Sequence, residues 1–159
     1  MRAVRYLHTG PAAEVLKIVD LPLPAPGQGE VRVRLHASGV NPHDTKGRSG
    51  WAGRDVPKDG IVPHSDGAGV IEAVGAEVSR SRIGERVYVL CAKTQGTAAE
   101  CVCLPSNQAL SLPETLSYAE GACLGVPAFT AWLAVLADGP VMGQTILVQG
   151  GGGSVRRVV

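Results

Sequence analysis

The sequence lacks the features that mark several classes of protein. It has no run of basic residues and a net charge of only +1, so its composition favours neither nucleic acid nor an anionic membrane as a partner. No apolar stretch approaches the roughly 20 residues of a membrane span, and the first ten residues, MRAVRYLHTG, contain no apolar signal segment. We therefore expect a cytoplasmic protein without nucleic-acid or membrane partners.

Cysteine is scarce and lacks the spacing of a metal site. The four cysteines, at positions 91, 101, 103 and 123, form no C-x-x-C pair. Cys101 and Cys103 are two residues apart on a predicted strand, so both side chains are expected on one face. Reduced, partly buried thiols are the prediction.

Glycine, proline and short alternating apolar segments dominate the first part of the chain. With 159 residues, 45% of them hydrophobic, and with 21 glycines and 11 prolines, the chain is typical of short strands joined by turns. The clearest strand, EVRVRLHASGV over 30–40, places Val31, Val33 and Leu35 on one face. Further strands are predicted over 1–6, 14–21, 67–75, 84–91 and 97–104. Their spacing predicts a β-barrel or sandwich.

The pattern changes after about residue 115. Ser117 and Glu120 have the spacing of a capping box, which begins a helix. The segment AFTAWLAVLADGP predicts an apolar helix that ends at Gly139 and Pro140. QTILVQ, over 144–149, predicts a strand that leads into four glycines. A mainly β domain is thus followed by the helix, strand and glycine loop that begin an α/β domain.

Six segments in this order resemble the N-terminal half of the medium-chain dehydrogenase/reductase superfamily. The resemblance is to its zinc-free quinone oxidoreductase branch, which contains ζ-crystallin. It is carried by GEVRVRLHASGVNPHDTKGRSG, HSDGAGVIEAVG, IGERVYVL, GTAAEC, GACLGVPAFTAW and ILVQGGGGSV. It implies a GroES-like catalytic domain over 1–124 and the start of a Rossmann domain over 125–159, with NADPH as the cofactor. Full-length relatives are expected to be homo-oligomers.

The resemblance also predicts that no catalytic zinc is bound. The three protein ligands of the superfamily's zinc alcohol dehydrogenases fall on Asn41, Ser65 and Val126, and this set cannot build such a site. The segment between Leu90 and Cys101 is too short for the four-cysteine structural lobe. A competing hypothesis is a different metal cluster, made of His43, Asp44, His64 and Asp66.

Hydride transfer without a metal needs the nicotinamide held against its acceptor, together with donors for the charge that develops on the acceptor oxygen. The resemblance implies catalytic roles for Asn41, Arg48 and Thr130. Asn41, Lys46 and Thr130 would contact the cofactor. Lys46 stands where relatives carry a tyrosine near the cofactor, and Trp51 could replace a second aromatic residue of that site.

The glycine loop is expected to hold the cofactor phosphates. Its predicted residues are Gly150, Gly151, Gly152, Gly153, Ser154 and Val155. The third glycine of G-x-G-x-x-G falls on Val155 or Arg156, where a bulky side chain disturbs the packing of helix on strand. We interpret the chain as a truncated or frame-disrupted copy, or a fragment, of a longer reductase. On its own it is expected to bind NADPH weakly and not to reach enzyme-like turnover.

Three functions remain open from the sequence. The leading hypothesis is an NADPH-dependent quinone or enone oxidoreductase, with a small-molecule quinone or enone as substrate. The second is a zinc-free enoyl-thioester reductase of the same superfamily. The third is a non-catalytic GroES-like binding module.

Overall fold

A curled, five-stranded antiparallel sheet is the centre of the molecule. The structure is a computed structural model that describes residues 1–51, 53, 55–90, 95–149, 153 and 155. The five strands are β3 (Glu30–Gly39), β4 (Asp66–Val74), β5 (Arg86–Val89), β6 (Cys101–Pro105) and β7 (Ala109–Ser111). They lie in the order β6-β3-β4-β5-β7, with every neighbouring pair antiparallel. The mainly β fold predicted from the sequence is confirmed.

The largest apolar cluster of the described residues lies on one face of this sheet, as alternation in β3 predicts. Val31 and Val33 are fully buried, and Leu35 packs against the same cluster. The other buried members come from the four remaining strands of the sheet: Ile71, Val87, Val89, Val102, Leu104 and Ala109. Burying apolar surface at about 25 cal/mol per Å² is the main term that stabilises this region.

The opposite face of the sheet carries charge and the two strand cysteines. Glu72 accepts hydrogen bonds from Arg32 Nε at 2.6 Å, from Arg34 Nε at 2.7 Å and from Cys101 Sγ at 3.4 Å. Burial raises the pKa of Cys101, and it raises the pKa of Cys103 to about 11. Both thiols are buried, as the sequence indicates, whereas Cys123 is exposed.

The N-terminal segment differs from its prediction. Strand β1 (Arg2–Arg5) pairs with β2 (Lys17–Asp20), so the first strand is confirmed. The predicted strand over 14–21 is wrong in its first part, because one helical turn, α1 (Ala12–Val15), precedes β2. The backbone N–H groups of Val15 and Leu16 donate to Pro11 and Ala12, which closes the turn and directs Val15 into the interior.

The predicted strand over 97–104 begins later than expected. Only its second half belongs to β6, since the N–H groups of Thr97 and Ala98 donate to the carbonyls of His64 and Pro63. Ala99 forms an isolated bridge with Ala3. Two 3₁₀ turns, Arg80–Arg82 and Ser106–Gln108, complete the connections.

Three short helices accompany the sheet: α2 (Pro42–Arg48), α3 (Tyr118–Gly121) and α4 (Val126–Leu136). The predicted capping box at α3 is confirmed, with the Ser117 N–H donating to the Glu120 carboxylate at 2.8 Å. Beyond α4, Gly139 adopts a φ of 107°, which is the left-handed conformation expected of a helix stop. No helix in the described ranges is long and apolar enough to cross a bilayer.

The predicted strand over 144–149 is wrong. These residues adopt no regular secondary structure. A β-strand forms only when its backbone hydrogen-bonds to a neighbouring strand. The strands of the described sheets pair with one another and not with this segment. Ile146, Leu147 and Val148 remain exposed, with Leu147 94% accessible.

Candidate functional site

The first turn of α2 positions Asn41. Pro42 occupies the first helical position, where its missing N–H costs nothing. Asn41 is the N-cap and forms a capping box with Asp44, whose carboxylate accepts the Asn41 backbone N–H at 2.8 Å. Asn41 is buried, with 6% exposed, whereas no residue of α2 itself is buried.

Asp66, the first residue of β4, joins α2 to α4. Its Oδ2 accepts a hydrogen bond from Asn41 Nδ2 at 2.7 Å, and its Oδ1 accepts one from the backbone N–H of Val126 at 2.9 Å. Asp66 is 1% exposed. Burial raises the pKa of Asp66 above its usual value, and the hydrogen bonds from Asn41 and Val126 oppose that rise.

Two glycines make room for this arrangement. A β carbon at Gly125 would lie 2.3 Å from Asp66 Oδ1, and one at Gly39 would lie 2.2 Å from the carbonyl oxygen of Ala122. Both distances are far below van der Waals contact, so a side chain at either position would separate the elements. The close approach of β3, β4 and α4 around Asp66 therefore depends on glycine.

Thr130 lies one turn into α4 and is exposed. Its Oγ1 donates to the carbonyl of Val126 at 2.7 Å, and the N–H of the same Val126 donates to Asp66. Hydrogen bonds therefore connect Asn41 to Thr130 through Asp66 and Val126, although 89 positions separate the two ends in the sequence. The structure brings together two of the three predicted catalytic residues.

Arg48 and Lys46 lie at the other end of α2. The Arg48 guanidinium donates to the carbonyl of Gly10, and the N–H of Gly10 donates to the carbonyl of Arg48. The Lys46 ammonium lies 4.8 Å from the ring centre of Trp51, which is 75% exposed. Arg48 thus holds the N-terminal loop, and Lys46 and Trp51 form an exposed cation–π pair. Their roles toward a ligand stay predictions.

Of the four residues of the alternative metal cluster, His43 and Asp44 contact each other, whereas the side chains of His64 and Asp66 contact residues outside the cluster. His43 Nε2 lies 3.1 Å from Asp44 Oδ1 and 3.0 Å from Ser65 Oγ. His64 Nδ1 lies 2.9 Å from Ser38 Oγ, and burial lowers the pKa of His64. Within the described part of the chain no group of three or more histidine, cysteine or acidic side chains is arranged to hold a metal ion.

Of the predicted phosphate loop, Gly150, Gly151, Gly152 and Ser154 lie outside the described residues. Gly153 is an exposed bend, and Val155 is partly buried.

An apolar groove of about 520 Å³ lies between the sheet and the other side of α4. Its walls include Tyr88, Leu110, Phe129 and Trp132. Phe129 and Trp132 are 43% and 59% exposed, so the groove is open. Thr130 is not among its lining residues.

Asp66 is the site residue whose role sequence reasoning missed. The sequence suggests Asp66 only as a metal ligand, whereas its carboxylate accepts hydrogen bonds from two other elements. One signal was present, since an aspartate that opens an apolar strand such as DGAGVIEAV is expected to be buried and therefore partnered. The identity of those partners depends on the tertiary fold.

Comparison with known proteins identifies relatives of the whole chain. The family model of the alcohol dehydrogenase GroES-like domain matches residues 27–127. The quinone oxidoreductase of Rattus norvegicus is 42% identical over 158 residues, which are 98% of this chain and 47% of the rat protein. The human quinone oxidoreductase is 40% identical over 157 residues, with the same coverage. The chain spans about half the length of these curated relatives.

Solved structures share the fold. The native structure of a mycobacterial protein complexed with NADPH has a TM-score of 0.85 and 32% identity, covering 99% of this chain and 48% of that chain. The human synaptic vesicle membrane protein VAT-1 homolog-like protein has a TM-score of 0.87 and 29% identity, covering 99% of this chain and 50% of that one.

Proposed function

The chain belongs to the alcohol dehydrogenase GroES-like domain family, within the medium-chain dehydrogenase/reductase superfamily, and we propose that it is part of an NADPH-dependent quinone or enone oxidoreductase. The observation that carries the proposal is the 42% identity to a quinone oxidoreductase over 98% of the chain, which includes α2, Asp66 and α4. A structural relative bound to NADPH supports the choice of cofactor.

The residues around Asp66 fit a nicotinamide. Because the Thr130 hydroxyl hydrogen is donated to Val126 at 2.7 Å, the Thr130 oxygen faces a ligand as an acceptor, suited to the N–H of a carboxamide. Asn41 Nδ2 gives one hydrogen to Asp66 and keeps a second one for a ligand oxygen. NADPH would supply the hydride, and these side chains would orient its nicotinamide. The phosphates would be held by the loop from Gly150 to Ser154.

The proposal includes a reaction without zinc. Val126, at a position where zinc-dependent relatives carry a ligand, has an apolar side chain, and its backbone N–H is donated to Asp66. Asn41 and Ser65, at the other two ligand positions, are neutral donors and acceptors that hydrogen-bond to Asp66 and His43. We expect elemental analysis of the purified chain to give no stoichiometric zinc. One zinc per chain would contradict this.

Several features of the whole protein remain proposals. The boundary between a catalytic domain over 1–124 and a Rossmann domain from 125 lies just before α4, whose first N–H is the one bonded to Asp66. A cytoplasmic location and a homo-oligomeric state of full-length relatives are predictions from the sequence.

NADPH titration of the chain, followed by amide chemical shifts, tests the proposed function. Weak, saturable shifts that concentrate on α2 and α4 are expected, and Thr130→Val should reduce them. NADPH consumption with 1,4-benzoquinone, in the same samples, is expected to stay below the ordinary enzyme range of about 1 per second or more. The proposal fails if a folded sample shows neither shifts on α2 and α4 nor any protein-dependent consumption of NADPH.

A further inference from the structure

Asp66 has a buried carboxylate whose two oxygens accept hydrogen bonds from different elements. Oδ2 accepts from the side chain of Asn41, before α2, and Oδ1 accepts from the backbone of Val126, at the start of α4. The Asp66 backbone carbonyl also accepts from Thr97 Oγ1 at 2.5 Å. A charged acceptor that is 1% exposed costs free energy unless such partners compensate it.

The chain around Asp66 is built to keep these partners in place. Gly125 has no side chain, so the N-terminus of α4 can approach Asp66 Oδ1. Thr130 then lies one helical turn from Val126, to whose carbonyl it donates. The position of Thr130 relative to Asn41 is therefore set by the hydrogen bonds that Asp66 accepts and not by a direct contact between the two residues.

We propose that Asp66 is a positioning residue, which holds Asn41 and Thr130 in the relative arrangement that receives the nicotinamide ring. The inference rests on the proposed function for the identity of the ligand. Asp66 does not itself touch substrate or cofactor. Its carboxylate fixes the Asn41 amide with Nδ2 turned inward, and it anchors the first turn of α4.

The two hydrogen bonds at position 66 require an acceptor at each of the two side-chain branches. A carboxylate accepts on both oxygens, whereas an asparagine at position 66 would offer one acceptor and one donor. If the oxygen of that asparagine still accepted the hydrogen bond from the Val126 N–H, its NH₂ group would face the NH₂ group of Asn41. Asn41 would then have to turn its amide by about 180° to present its oxygen, which would move that oxygen away from the capping box with Asp44.

The first experiment needs no ligand and compares Asp66→Asn with the wild-type chain by NMR. In wild type, the Asn41 Nδ2 hydrogen that is donated to Asp66 should exchange about tenfold or more slowly than the side-chain amide hydrogens of exposed Asn107, since Asn41 is buried. In Asp66→Asn, the Asn41 side-chain resonances and the Thr130 backbone amide should both shift, and the protection should disappear. Unchanged Asn41 and Thr130 resonances would overturn the inference.

Glu72→Gln is the matched control. Glu72 lies on the same strand, is 19% exposed and also accepts side-chain hydrogen bonds, but its partners are Arg32, Arg34 and Cys101. A folded Glu72→Gln chain should keep the Asn41 and Thr130 resonances of wild type. If both variants shift them equally, the effect reflects general destabilisation and the inference is wrong.

Gly125→Ala tests the same geometry if Asp66→Asn does not fold. The added carbon would displace Asp66 Oδ1 while the carboxylate remains. The Asn41 side-chain resonances should again move, although Asn41 itself is unchanged. Retention of the wild-type Asn41 signals in folded Gly125→Ala would count against the proposal, as would fast exchange of the Asn41 side chain in wild type.

A second experiment adds reduced nicotinamide mononucleotide, which represents the half of the cofactor that Asn41 and Thr130 would meet. Asp66→Asn should bind it about tenfold more weakly than wild type, the change that corresponds to one lost hydrogen bond to a charged group, and Glu72→Gln should bind it as wild type does. Equal binding by Asp66→Asn would overturn the inference. If wild type does not bind it while the ligand-free shifts are as expected, the proposed function fails and the positioning geometry stands.

Discussion

The sheet and the segment from α4 onward contain similar apolar residues in very different surroundings. In the sheet, Val31, Ile71 and Leu104 are completely buried. In residues 126–149, Trp132 is 59% exposed, Met142 96% and Leu147 94%. Apolar side chains alone therefore do not make a core, because burial requires a partner surface. The sheet provides one through five paired strands, and the second region makes no strand pairing in the described residues.

The two regions also differ in their content of charged side chains. The outer face of the sheet holds the cluster of Glu72 with Arg32 and Arg34. Residues 126–149 carry a single charged side chain, Asp138. A long, nearly uncharged and partly exposed apolar segment is typical of a surface that another part of a protein covers.

Replacing one leucine in each region gives the largest expected effect. Leu104→Ala removes a fully buried side chain and should lower the free energy of unfolding by about 2–5 kcal/mol. Leu147→Ala removes an exposed one and should change it by less than about 0.5 kcal/mol. Urea unfolding followed by circular dichroism measures both. Similar losses in the two variants would show that 126–149 is packed as firmly as the sheet.

A smaller effect is expected at the charged face of the sheet. At neutral pH, Glu72→Gln should lower the free energy of unfolding by about 1–3 kcal/mol, because it leaves Arg32 and Arg34 without their charged acceptor. Burial tends to raise the pKa of Glu72, but the hydrogen bonds from Arg32 and Cys101 and the charges of both arginines outweigh it, so this pKa is lowered from its ordinary 4.5.

The sign of the pH dependence follows from that shift. A carboxylate with a lowered pKa in the folded state stabilises the fold above its unfolded pKa and loses this contribution as pH falls through the folded pKa. The difference in stability between wild type and Glu72→Gln should therefore shrink as pH falls below 4.5. Glu114→Gln, at an exposed position, is the control and should show no such trend. A difference independent of pH would contradict the prediction.

The sequence predicted those parts of the fold that depend on local pattern. Alternation in 30–40 identified β3 and its buried face, and the Ser117–Glu120 spacing identified the start of α3. Where a structure depends on partners that are distant in the chain, the prediction from the sequence was wrong. An apolar pattern over 144–149 predicts a strand, but a strand also needs a neighbour to bond.

For the candidate site, the sequence named Asn41 and Thr130 but not the hydrogen bonds that connect them. Asn41 and Thr130 were expected to face a common cleft, and hydrogen bonds do connect them. The connecting residue, Asp66, acts through contacts 25 and 60 positions away in the chain. No local pattern encodes such contacts. The same is true of Arg48, whose partner Gly10 lies 38 positions earlier.

The smallest expected effect lies at α3, which joins the sheet to α4. The Ser117 side chain accepts the N–H of Glu120 at 3.2 Å, and this satisfies one of the four free donors at the helix start. Ser117→Ala should lower the free energy of unfolding by about 1 kcal/mol, whereas Thr115→Ala, at a nearby exposed position, should leave it nearly unchanged. Because α3 contacts β3 and β4, loss of the cap should lower the unfolding midpoint of the sheet, measured by circular dichroism. If Ser117→Ala instead alters only the amide exchange of 126–149 and leaves that midpoint in place, α3 belongs with the second region, and the boundary between the two regions lies before Ser117.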